Sequence, residues 1–220
     1  EIADPVFVGQ HFEHGAEMSL KACTKRNPDE GLGVVVWRGD RMAIVEYTEL
    51  TREQKHARMP DGGLQFAYGS VAIHIFSLEF LEREAGAGLP LHLARKKVAC
   101  CGPDGAPFKP DTHNACKFEK FIFDALPDAR RPLLAAFARE EEFSPVKNAT
   151  GDDSPATTRR DMMEKWARWL EASGVAVPRA PSGELLYKIE IDPCYALDLP
   201  GLRSRLPSGF VWGEDLLLRD

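Results

Sequence analysis

No apolar run in this 220-residue chain approaches the roughly 20 residues that a membrane-spanning helix needs. Glu1-Ile2-Ala3-Asp4-Pro5 also lacks the character of a secretory signal. Cysteine is scarce: Cys23, Cys100, Cys101, Cys116 and Cys194 are odd in number and show neither metal-type spacing nor a C-x-x-C pair. They read as reduced thiols in a cytoplasmic protein with no membrane partner. Positive charge is outnumbered, 28 Lys and Arg against 34 Asp and Glu, for a net charge of −6. That balance argues against a general nucleic-acid surface, although it allows local basic pockets. The phosphate-cradling G-x-G-x-x-G and G-x-x-x-x-G-K-[ST] loops are absent, as is the G-x-S-x-G nucleophile elbow. The six histidines show no H-E-x-x-H spacing, and His11 with His14 is too small a set to imply zinc. No covalent nucleophile is indicated.

What is present is a globular composition, 44% hydrophobic and 28% charged, able to bury a core. Asp4 and Pro5 mark a helix start, and Met18–Thr24 reads as a strand. Val34-Val35-Val36-Trp37, the turn Gly39-Asp40 and Met42–Tyr47 predict a hairpin. Thr51–Arg58 and Ser77–Glu84 read as helices, the second with Leu78, Leu81 and Phe80 inward. Val71–Phe76 and Leu133–Phe137 read as strands. Lys117–Ala125 places Phe118, Phe121, Ile122 and Ala125 on one helical stripe, with Phe123 off it and free to meet another surface. Ser154, Pro155 and Gly174 bracket a long helix whose apolar face is Trp166, Trp169 and Leu170. After Val175 the composition shifts toward Pro and Gly, with Leu185–Ile191 as a further strand. The alternation points to an α/β protein with a mixed or mainly parallel sheet flanked by helices.

Five positions bear on function. Lys147 lies in Arg139–Ala149 (REEEFSPVKNA), just after Ser144-Pro145, where proline stiffens the chain. A rigidly held ammonium suits neutralising a phosphate, although most loop lysines are simply solvated. Glu46 interrupts the apolar run AIVEY, so it either faces a polar ligand or pairs with a neighbour. Gly69-Ser70 interrupts another β-type run, a pattern that marks close approach of a ligand or of another backbone. His74, in the same run, reads as a core imidazole with its hydrogen bonds satisfied.

Five segments then occur in a recognisable order: ADPVFVGQHFEHGAEMSLKACTKRNPDEGLGVVVWRGDRMAIVEYTEL, YGSVAIHIFSLEFL, KFEKFIFDALP, REEEFSPVKNA and DDSPATTRRD. From Ala3 to about Gly174 the sequence resembles the C-terminal half of the UDP-N-acetylglucosamine pyrophosphorylase family, the eukaryotic-type UTP–sugar-1-phosphate uridylyltransferases. The resemblance implies a nucleotide-diphospho-sugar transferase-like fold. Residues 1–175 would be the sugar-binding side of the catalytic domain, and residues 176–220 a short β-rich tail. It also implies a reaction, in which UTP and N-acetylhexosamine 1-phosphate give the UDP-sugar and pyrophosphate with Mg²⁺, by in-line displacement at the α-phosphorus. By the same resemblance Lys147 would hold the sugar-linked phosphate, and Glu46 would accept hydrogen bonds from sugar hydroxyls. Gly33 would bring backbone close to the sugar, Phe121 and Phe123 would wall the acetamido side, and Lys117 matches a basic position beside them.

Two departures qualify this. The family often reads F-N-A-G-N-I-A-N-H where this chain has F-A-Y-G-S-V-A-I-H, so Ser70 replaces a sugar-binding asparagine with a shorter group. The family's Gly-rich nucleotide loop, uracil-binding residues and metal aspartate have no counterpart in these 220 residues. The expected partner is therefore an N-terminal half that supplies them, with the isolated chain inactive. Alternatives are a UTP–glucose-1-phosphate or broad UDP-sugar pyrophosphorylase, or a non-catalytic sugar-nucleotide-binding remnant.

Overall fold

The computed structural model describes residues 3–220, which form two compact units divided between Phe137 and Ala138. The first unit is built on β1 (Met18–Thr24), a strand buried on both faces. On one face Met18 and Leu20 join a core with Met42, Ile44, Phe80, Ala125 and Leu126. On the other face lies α1 (Pro5–Glu13), capped by Asp4, whose carboxylate accepts from the Val6 N–H. The β1 residues turned to α1 are polar but paired, as a buried polar face requires. Ser19 Oγ lies 2.7 Å from His11 Nδ1, and the Lys21 ammonium lies 2.9 Å from Asp4.

The remaining strands complete a mixed sheet of order β3-β2-β4-β1-β9. The sequence-predicted hairpin is β2 (Val34–Arg38) and β3 (Arg41–Val45), turning at Gly39 with φ +66°. After the short α2 (Arg52–His56), with its Thr51–Gln54 capping box, comes β4 (Tyr68–Phe76), antiparallel to β1. Register shifts between Leu20 and Ala22 at a bulge where Ala72 takes φ +60°. α3 (Leu78–Ala87), capped by Ser77, covers the core face. Only part of its expected apolar stripe turns inward. Phe80 is fully buried while Leu78 and Leu81 are exposed, because one aromatic fills the space over Met18 and Leu20. Burying that ring contributes roughly 1.5–3 kcal/mol.

A hairpin of β5 (His92–Lys96) with β8 (Ala115–Glu119) follows, carrying a smaller ladder of β6 (Cys100–Cys101) and β7 (Pro107–Phe108). Here the helix expected over Lys117–Ala125 is replaced by strand and then a 3₁₀ helix, Ile122–Asp128. The backbone of residues 115–119 pairs with β5 instead of with itself, and Phe118 is left exposed. Cross-strand pairing overrode a helical spacing of apolar residues. β9 (Pro132–Ala136) then closes the sheet, parallel to β1.

In the second unit, α4 (Arg139–Glu142) precedes the Lys147 loop, and α5 (Pro155–Ala172) is the main element. Ser154 and Thr157 form a capping box, and Gly174, at φ +85°, follows the helix end. Ala167 and Leu170 of α5 pack with Ile189 and Ile191 of β10 (Ile189–Ile191), Leu202 of α6 (Leu199–Arg205), and Trp212. β11 (Leu216–Leu218) pairs parallel with β10. The compositional shift at 175 thus falls inside this unit, since Val175 shares the core of α5. The segment after it is less β-rich than expected, two three-residue strands around a helix.

Candidate functional site

Three of the expected site residues meet at the junction of β2, β3 and β4. The Ser70 N–H donates to the Gly33 carbonyl at 2.8 Å, so the start of β2 lies directly on β4. A Cβ placed on Gly33 would come within 2.9 Å of Ile44 Cγ2 and 3.3 Å of a Glu46 carboxylate oxygen. Glycine is therefore required at 33 by space, and what fills that space includes the Glu46 carboxylate. A Cβ at Gly69 would likewise lie 2.6 Å from Leu32 Cδ1. What approaches Gly69 is thus the Leu32 side chain, where the sequence pattern predicts a ligand or another backbone. Beside it, the Ser70 hydroxyl accepts a long bond, 3.4 Å, from the Ala72 N–H. Its own O–H proton remains for another acceptor.

The expected aromatic pair is also brought together. Phe121 and Phe123 stack with ring centroids 4.9 Å apart and planes 12° from parallel. Phe123 also packs against the sheet core, which holds it in place. Phe121 meets the His92 ring at 4.8 Å. His92 is a residue that motif spacing did not single out. Its Nδ1 lies 2.9 Å from a Glu49 carboxylate oxygen and its Nε2 lies 2.8 Å from one of Asp124, partners 43 and 32 residues away in sequence. Local patterns carry no trace of such contacts. Burial opposes the charge on His92, but the hydrogen bonds to Asp124 and Glu49 outweigh it, and its pKa is raised. Lys117 points elsewhere, pairing with Glu119 at 2.7 Å with most of its side chain in solvent.

His74 departs from the sequence expectation. Both ring nitrogens are buried and neither has a hydrogen-bond partner among the described residues. Burial lowers its pKa and keeps the ring neutral.

Lys147 belongs to the second unit, in a loop fastened at several points. Its N–H donates to the Asp153 carbonyl at 2.7 Å, as does that of Asn148 at 3.0 Å. The Asn148 amide donates to the Asp152 carbonyl at 2.8 Å. Upstream, Ser144 Oγ donates to Asp161 of α5 at 2.7 Å, and Thr158 donates to the Ser144 and Pro145 carbonyls. Glu141 is clasped by Arg168 at 2.8 Å and by the Trp169 indole at 3.3 Å. The exposed side chain of Lys147 thus rises from a backbone whose position α5 sets.

The chain is 38% identical over 179 residues to UDP-N-acetylhexosamine pyrophosphorylase-like protein 1 of Xenopus tropicalis, covering 79% of this chain and 35% of that protein. It is 37% identical over 182 residues to UDP-N-acetylglucosamine diphosphorylase 2 of Arabidopsis thaliana, covering 79% of this chain and 34% of that protein. Over that span the chain belongs to the UDP-N-acetylglucosamine pyrophosphorylase family. The crystal structure of the Trypanosoma brucei UDP-N-acetylglucosamine pyrophosphorylase with an inhibitor superposes with a TM-score of 0.76 at 27% identity, covering 99% of this chain and 46% of that one. The sheet flanked by helices is accordingly that of the UDP-sugar pyrophosphorylases, a nucleotide-diphospho-sugar transferase-like fold. No family model matches the chain. The chain spans between about a third and just under half the length of the curated pyrophosphorylases it matches, which fits the resemblance to one half of the family. Among the described residues, no group of three or more His, Cys, Asp or Glu is placed to hold a metal ion, and no helix is long and apolar enough to cross a membrane.

Proposed function

We propose that this chain forms the sugar side of a uridylyltransferase site, in a protein that makes UDP-N-acetylhexosamine and pyrophosphate from UTP and N-acetylhexosamine 1-phosphate. The observation that carries this is the adjacency of Gly33, just before β2, to Glu46, just after β3, and to Ser70 of β4 in a pyrophosphorylase fold. In this reading Glu46 and the Ser70 hydroxyl hold sugar hydroxyls. Phe121 and Phe123 face the acetamido group, while Lys117, paired with Glu119, takes no part. Lys147 neutralises the sugar-linked phosphate while the α-phosphorus of UTP is attacked in line. A lysine on a fastened loop suits the task, since a charge already in place costs no reorganisation when negative charge develops. The nucleotide-side residues come from a further half of the protein. Mg²⁺ is typically held by one or two carboxylates together with substrate phosphates, and in this reading its ligands lie on the nucleotide side. The five thiols are unbridged, in keeping with a cytoplasmic protein.

The test is Lys147→Ala in the complete protein, assayed by pyrophosphorolysis of UDP-N-acetylglucosamine and UDP-glucose. The expected result is a fall in kcat of about 10²-fold or more. A near-wild-type rate removes Lys147 from the mechanism. A preference for UDP-glucose would assign the site to a hydroxyl sugar, and UDP-sugar binding without turnover in the wild type would leave a binding module.

A further inference from the structure

We propose that His92 is a positioning residue that fixes the spacing between the two walls of the sugar pocket, Glu46 on one side and the Phe121–Phe123 stack on the other. The inference rests on the uridylyltransferase reading of those walls. Both ring nitrogens of His92 face carboxylate oxygens, Glu49 at 2.9 Å and Asp124 at 2.8 Å. A carboxylate offers no proton, so both bonds exist together only when both nitrogens carry hydrogen. The ring is then an imidazolium clamped between two anions, and charge-assisted bonds of this kind are short and strong.

Each anion is tied to one wall. The Glu49 N–H donates to the Glu46 carbonyl at 2.9 Å, so Glu49 and Glu46 close a single turn at the end of β3. Asp124 sits directly after Phe123, and its N–H donates to the Phe121 carbonyl at 3.0 Å. The imidazole also packs on Phe121 itself, 4.8 Å between centroids at 50°. One side chain from the first residue of β5 therefore grips both the turn that carries Glu46 and the segment that carries the aromatics. Its surroundings hold few other charges. Glu119 is its cross-strand partner on β8 and is neutralised by Lys117 at 2.7 Å.

The charge state follows from this geometry. With rising pH the ring loses one proton and can serve only one carboxylate, so the other wall is released. The pKa of His92 lies above the ordinary histidine value, which places that release on the alkaline side of 6.5. In the uridylyltransferase reading the acetamido group is the part of the sugar that meets the Phe121–Phe123 wall, so the release should cost UDP-N-acetylglucosamine more than UDP-glucose.

The experiment measures kcat/KM for pyrophosphorolysis of UDP-N-acetylglucosamine and UDP-glucose between pH 6 and 9. It compares the complete wild-type protein with His92→Phe and Glu49→Ala. His92→Phe keeps a ring against Phe121 and removes both hydrogen bonds. The expected result is a drop of about 5- to 10-fold in the acetamido-to-hydroxyl ratio, expressed mainly in KM, the scale of a few lost pocket contacts. Glu49→Ala, at a side chain 43% exposed, should lower the ratio about 3-fold, in the same low range. The wild-type ratio should fall as pH rises, and the His92→Phe ratio should not change with pH. Should His92→Phe fail to fold, Glu49→Ala decides alone. A wild-type enzyme that is active while the variants keep its ratio and its pH profile overturns the role of His92. A wild-type protein that turns over neither sugar nucleotide overturns the uridylyltransferase reading itself.

Discussion

Glu17 stands at the entry to β1 and joins three segments of the first unit. Its carboxylate receives both Arg83 nitrogens, at 3.0 and 3.1 Å, and the Arg130 N–H at 2.6 Å, while its carbonyl accepts from the Ser77 N–H. The Arg83 hydrogen bonds, opposed in part by burial and aided by Arg130, lower its pKa from 4.5 to about 2. At 1.36 kcal/mol per pKa unit, that lowering corresponds to about 3 kcal/mol. Arg83 is about one-third exposed, so solvent screens the pair and about 2 kcal/mol is the fair expectation. The perturbation is Glu17→Gln, which keeps the shape and removes the charge. The assay is urea denaturation followed by hydrogen exchange in peptides covering β1 and β9, which report on the first unit alone. At pH 7 the variant should be less stable by about 2 kcal/mol. A lowered carboxylate pKa stabilises the fold fully above the unfolded value, 4.5, and loses that contribution as pH falls toward about 2. The gap between wild type and variant should therefore close to less than half by pH 3. A gap under about 0.5 kcal/mol at pH 7, the scale of a surface ion pair, would refute the reasoning. So would a gap that is unchanged by acid.

Two further outcomes follow from the packing. Gly33→Ala puts a Cβ against Ile44 and the Glu46 carboxylate, so the unit should lose about 1–3 kcal/mol by overpacking. Kinetics on the complete protein should show kcat/KM for the UDP-sugar falling with it, and an unaltered value would detach Glu46 from the sugar. Asp4→Asn keeps an oxygen to cap α1 but removes the charge opposite Lys21, whose side chain is 2% exposed. Thermal unfolding should report a loss of about 3 kcal/mol, as for a broken buried pair, whereas a change confined to a few tenths would show that Lys21 is held by its other neighbours.

How much of this could be read along the chain depended on the range of the interaction. The β2–β3 hairpin was legible because its strands, turn glycine and apolar pattern all lie within a dozen residues. The bounds of α5 were legible for the same reason, through Ser154, Pro155 and Gly174. The Lys117–Ala125 segment differs from the expected helix because pairing with β5 made its first residues, through Glu119, a strand, although the apolar spacing suits a helix. Leu78 and Leu81 were misplaced because one buried ring, Phe80, sufficed for the core below α3. His74 was expected to be satisfied, yet both its nitrogens are orphaned within the described residues.

The candidate site divides along the same line. Gly33, Glu46, Ser70, Phe121, Phe123 and Lys147 were named from segments whose order resembles one family, and for three of them the local chemistry was legible too: a carboxylate in an apolar run at Glu46, an interrupted strand at Gly69-Ser70, a lysine after proline at Lys147. That Gly33 makes room for Glu46, and that Ser70 hydrogen-bonds Gly33, needed the sheet. His92 needed it most, for its two carboxylate partners lie 43 and 32 residues away and no periodicity links them. The sequence by itself determined the local elements, their caps and turns, and the family to which their order belongs, because those depend on neighbours along the chain. Tertiary structure alone decided which charges meet and which glycines are compulsory, because only folding brings distant side chains within hydrogen-bond reach.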